Sequence, residues 1–143
     1  MSNHFYLQIS KSGGIMARIV TAVLSASKRN SDWEFTVRGT ARFLQHECGI
    51  YWAVLGTLYE SDVLTSDDRL CGVNRMDGDN GSNQMEPSDP NHEYTFEVHK
   101  TLSNDKVDTE PGRESIYAKL VLFPLNPPPP LQKDKITTNT VLV

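Results

Sequence analysis

In an extended strand successive side chains point to opposite faces, so a sheet with one face on a core and one in water writes a period of two into its sequence. From Trp33 to Phe43 that period is plain: Trp33, Phe35, Val37, Ala41 and Phe43 are apolar, and Glu34, Thr36, Arg38, Thr40 and Arg42 between them are polar. Gly39 falls on the apolar side without a side chain, which predicts a bend, a bulge or a close neighbour there. After the turn-like His46-Glu47-Cys48-Gly49 the chain runs from Ile50 to Tyr59 with apolar residues on both faces, the pattern of a central strand. The two segments read as a hairpin.

Weaker versions of the same signal recur. Phe5, Leu7 and Ile9 alternate with polar neighbours, as do Tyr94, Phe96 and Val98, while Arg18 to Ala26 and Ile136 to Val143 are rich in β-branched residues. Ile116 to Phe123 is apolar on both faces. No long window carries a 3.6-residue stripe, so helix is limited to a turn or two. The pattern predicts an all-β chain: a single antiparallel β-sandwich, immunoglobulin-like or jelly-roll in style, of about seven strands. Met16-Ala17-Arg18 and the apolar stretch after it have the outline of a short secretory signal, but Thr21 and Ser25 interrupt it and a buried strand is the better reading.

Two interruptions divide the chain. The first, residues 60–93, carries nine acids against Arg69 and Arg75. Long loops in compact domains are commonly functional. The second is Pro124-Leu125-Asn126-Pro127-Pro128-Pro129-Pro130, whose successive prolines favour a stiff, extended polyproline segment. Such a spacer is expected to carry the β-rich tail away from Ile116–Phe123 before the two can pair. The domain reading is therefore an N-terminal arm over 1–15, a sandwich over 16–125 containing the acidic excursion 60–93, and a spacer and tail over 126–143.

Composition sharpens this layout. The 143 residues are 38% apolar, lean for a globular chain, with twelve aromatics making up part of the difference. The net charge of −4 is unevenly held, being −7 within residues 60–93 and +3 over the remaining 109 residues. No basic cluster offers a nucleic-acid footprint, and no apolar run approaches the roughly 18 residues of a membrane-spanning helix. A soluble protein is the expectation. Cys48 and Cys71 form one candidate disulfide or stand as two unrelated thiols, and Asn80-Gly81-Ser82 is a glycosylation sequon in a polar loop. The compartment is not fixed, with a leaning towards an extracellular or particle-associated setting.

Candidate chemistry is sparse. Calcium seeks six to eight oxygen ligands, and Asp77-Gly78-Asp79-Asn80 begins like a calcium loop but lacks the later glycine and acid of the EF-hand pattern. Asp77, Asp79, Asp67 and Asp68 remain the candidate calcium ligands; no other cofactor is implied. His46, Cys48, Cys71 and His92 have the wrong spacing for a zinc knuckle, and neither a Gly-x-Ser-x-Gly elbow nor a phosphate-cradling glycine loop is present. No catalytic residue is named and an enzyme is not expected.

The interaction candidates are the tail residues Ile136, Val141, Leu142 and Val143 and the outward tyrosines Tyr51 and Tyr59. An apolar strand with unpaired backbone edges closes its own sheet or adds to a neighbour's. The expected function is a non-enzymatic structural or interaction module that forms a homo-oligomer through its terminal strands, by strand addition or arm exchange, as a shell, fibre or appendage subunit would. The alternatives are a calcium-dependent module using the acidic loop on carbohydrate or a membrane surface, and a small hydrolase.

Overall fold

The computed structural model describes residues 8–9, 17–61, 68–69, 75–107, 115–125 and 134–143. The strands are β1 (Gln8–Ile9), β2 (Arg18–Arg29), β3 (Asp32–Arg42), β4 (Trp52–Ser61), β5 (Asp68–Arg69), β6 (Arg75–Met76), β7 (Gln84–Met85), β8 (Tyr94–Ser103), β9 (Ser115–Pro124), β10 (Asp134–Thr137) and β11 (Val141–Leu142). They form two antiparallel sheets, β1-β2-β3-β8 and β10-β9-β4-β5, with β6 and β7 also on β4 and β11 also on β9. The expected all-β sandwich is what the chain adopts. Among the described residues helix is confined to one turn, α1 (Asn104–Val107), and two 3-10 turns. None of the described helices is long and apolar enough to cross a membrane.

The inner faces carry the residues that the alternation selected. Trp33, Phe35, Val37, Ala41 and Phe43 are buried, opposite Trp52, Val54 and Leu58 of the second sheet, and the Phe43 and Trp52 rings meet at 5.3 Å. Gly39 is closely overlain. A Cβ there would meet the Thr21 carbonyl oxygen and stand 2.6 Å from the Phe96 ring, so the missing side chain is filled by a phenylalanine from β8.

The hairpin expected between β3 and β4 does not form. β3 pairs with β2 and β8, and β4 pairs with β9, so residues 43–51 cross from one sheet to the other. Glu47 holds that crossing: its buried carboxylate accepts from Leu44 N at 2.7 Å and Ala17 N at 2.8 Å, and its carbonyl accepts from the Trp52 indole at 3.1 Å. Local turn chemistry suggested a hairpin, and a buried acid that caps two separate backbones gave a crossover instead.

The tail also departs from expectation. β10 lies antiparallel on β9, with Ile136 opposite Leu120, and β11 follows on the same strand with Val141 opposite Ile116. The proline spacer therefore does not keep the tail from Ile116–Phe123. Eight residues separate Leu125 from Asp134, ample for closing a connection that is not a tight turn. What fixes the tail is side-chain chemistry along the seam between sheets. Asp134 Oδ2 accepts from Ile19 N at 2.7 Å, and the Asn139 carboxamide accepts from Leu24 N at 2.9 Å and donates to Leu24 O at 3.0 Å. One amide side chain thus does for the edge of β2 what a neighbouring strand would do.

The opposite seam is closed by the acidic excursion. Asp77 exchanges both backbone hydrogen bonds with His99 of β8, and Ser82 receives Glu97 N at 2.9 Å. The first sheet is therefore stitched to segments of the second along β8 and along β2 on either side of its short pairing with β1.

Candidate interaction surface

The second sheet has an outer face that is neither sealed nor polar. On β4 and β9 alternate residues point away from the core, and the register aligns them in rows: Leu55 with Val121 and Lys135, Thr57 with Lys119 and Thr137, Tyr59 with Tyr117. Leu55, Thr57, Tyr59, Val121 and Phe123 are half-buried, whereas Lys119, Lys135 and Thr137 are exposed. Together they line a concavity of about 640 Å³, open to solvent, whose described lining contains two lysines and no carboxylate. A β-strand apolar on both faces reads as central; here one of those faces is the core and the other is this surface.

The aromatic end of the face is stacked. Tyr59 and Tyr117 stack with centroids 5.6 Å apart and planes 14° from parallel, and Lys119 Nζ lies 4.6 Å from the centre of the Tyr59 ring. The ammonium is thereby held above the apolar floor instead of reaching away from it.

Among the candidates from sequence, Tyr59 belongs to this surface. Tyr51 is 47% exposed and precedes β4, its carbonyl accepting from Leu125 N. Ile136 and Val141, expected to be presented to a partner, are 8% and 1% exposed and pack in the chain's own core, because β10 and β11 turn alternate residues inward. Leu142 is exposed and Val143 is half-buried against the core. Lys119, Val121, Phe123 and Lys135 were not among the candidates; a strand apolar on both faces with one lysine in its middle was the signal available for β9.

Two carboxylates of the acidic excursion are already paired. Asp77 is paired with Arg75 at 3.2 Å and Asp79 with His99 Nε2 at 3.0 Å. Asp67 and the side chain of Asp68 lie outside the described residues. No cluster of three or more His, Cys, Asp or Glu that could hold a metal occurs among the described residues. Cys48 is a free, half-buried thiol, pushed up in pKa by burial and by the Asp89 and Glu47 carboxylates, and Cys71 lies outside the described residues.

A second feature is the turn from Glu86 to Glu93. Glu86, Asp89 and Glu93 are exposed on it. Its backbone is pinned: Ser88 N and Asp89 N both donate to the Tyr94 hydroxyl at 2.9 Å, Asn91 N to Asp89 Oδ1 at 2.8 Å, and Gly49 N to Pro87 O at 2.8 Å. Hydrogen bonds from the Ser88 hydroxyl and backbone favour the phenolate of Tyr94 and lower its pKa.

No protein-family model, curated protein or solved structure matches this chain. Function has to be argued from these two surfaces. One is an apolar concavity flanked by two lysines, and the other is a hydrogen-bonded turn with three exposed acids.

Proposed function

We propose that this chain is a non-enzymatic structural or interaction module that assembles with copies of itself through the outer face of the second sheet. One observation carries the reading: half-exposed Leu55, Tyr59, Val121 and Phe123 form a contiguous apolar floor beneath Lys119 and Lys135. Contiguous apolar surface rimmed by polar groups is the usual mark of a protein interaction site. β10 forms the rim and is itself held against β2 by Asp134, so an incoming segment lies across the floor.

Arm exchange is the less economical route. Asp134, Ile136, Thr138, Asn139 and Val141 are all buried in contacts with their own chain, and transfer to a neighbour would break and remake every one. Docking on the preformed face leaves them in place.

The test is multi-angle light scattering coupled to size exclusion, from micromolar to near-millimolar chain, on the wild type and on Val121→Glu. The wild type is expected to gain mass with concentration, and the variant to stay monomeric with an unchanged circular dichroism spectrum. A wild type that is monomeric throughout the range removes the reading, as does a Val121→Glu protein that assembles like the wild type.

A further inference from the structure

The geometry points to an unlike partner surface for this face: we propose that it receives the Glu86–Glu93 turn of a second copy, so that the contact is heterologous, head to tail. This rests on the self-assembly reading above and specifies what fills the face.

Charge decides against the symmetric alternative. Two copies meeting face to face would bring Lys119 and Lys135 against lysines of the other copy, over a lining with no described carboxylate to offset them. Like charges brought together at an interface are strongly disfavoured, and charges at the rim select the partner. The chain supplies the complement itself, since its negative charge is concentrated in residues 60–93 while the remainder is net positive.

Within the described part of that excursion the turn is the suitable piece. Asp77 and Asp79 already face Arg75 and His99, and the Asp77 backbone closes the seam. Glu86, Asp89 and Glu93 stand exposed on a backbone fixed by Tyr94, Asp89 and Gly49, so little freedom is lost when it docks. Asp89 and Glu93 each accept one hydrogen bond, from Asn91 N and from Thr40 Oγ1, which leaves lone pairs for an ammonium.

Position makes the contact open-ended. The turn sits at the end of the sandwich where β8 begins opposite Ala41 and where Gly49 binds Pro87, while the face lies along the flank of the second sheet. A protomer docked by its turn keeps its own face free for the next. Such an interface closes into a ring or runs on as a filament, whereas a face-to-face contact stops at two.

The experiment uses two full-length variants, Val121→Glu for the face and Glu86→Lys with Glu93→Lys for the turn, each checked for an unchanged urea midpoint. The turn variant alone is expected to lose at least tenfold in association constant, because two rim charge pairs become repulsive. Mixed in equal amounts, the two variants are expected to form a 1:1 dimer and nothing larger, one intact face meeting one intact turn. A turn variant that assembles like the wild type overturns the proposal and leaves the face reading standing. A mixture that stays monomeric also overturns it. A monomeric wild type removes the parent reading instead, so the two failures are separable.

Discussion

Asn139 shows how much of this fold hangs on single polar side chains. The residue is 5% exposed, and its carboxamide satisfies both backbone groups of Leu24 in β2. Glu47 and Asp134 act in the same way on Ala17, Leu44 and Ile19. A buried backbone group left without a partner costs about 1–3 kcal/mol. Asn139→Ala strands one donor and one acceptor, so a loss of about 2–4 kcal/mol in unfolding free energy is expected, read as a lower urea midpoint with little change in slope. A loss under about 0.5 kcal/mol would show that water replaces the amide and that the seam is wet. None of these three residues was legible as structural in the sequence. An acid or an amide in a polar stretch looks the same whether it faces solvent or caps a backbone a hundred residues away, because the partner is a main-chain group with no sequence signature.

At the level of elements, period-two alternation located β3 and β8, β-branched content located β2, and runs apolar on both faces located β4 and β9; the pattern of β3 placed Trp33, Phe35 and Val37 in the core as found. Pairing was harder to read. β3 and β4 are adjacent in sequence with a turn-like link, yet they lie in different sheets, and the proline spacer does not hold the tail off β9. Both errors came from judging long-range pairing by the connection, when the outcome is decided by what the strands bury. The tail buries the side chains of Ile136 and Val141, each worth about 1.5–3 kcal/mol, and brings the hydrogen bonds of Asp134, Thr138 and Asn139. Its total, of order 5–10 kcal/mol, is comparable with the whole stability of a small domain. A chain ending at Leu125 is therefore expected to lose its cooperative thermal transition. If that shortened chain melts within a few degrees of the full one, the tail is an ornament of the fold and its residues return to the pool of partner-binding candidates.

For the molecule as a whole, the net charge of −4 conceals an acidic excursion and a net positive remainder. That split was visible from sequence, but its consequence was not: Lys119 and Lys135 lie in adjacent rows on one face because β9 and β10 pair in a register that only the fold reveals. Association between a lysine-rimmed apolar floor and an acidic turn has a distinctive dependence on salt. Exposed charges interact over a screening length of about 10 Å at 0.1 M salt and about 3 Å at 1 M, while apolar contact does not weaken with added salt. Raising sodium chloride from about 0.05 M to about 0.5 M should therefore lower the association constant of the wild type by up to about tenfold. In the Glu86→Lys, Glu93→Lys variant the sign reverses, since the same salt screens a repulsion. Sedimentation equilibrium at matched chain concentrations measures both slopes. A wild type whose association strengthens with salt would mean that the floor alone holds the copies together, and the acidic turn would lose its part in the contact.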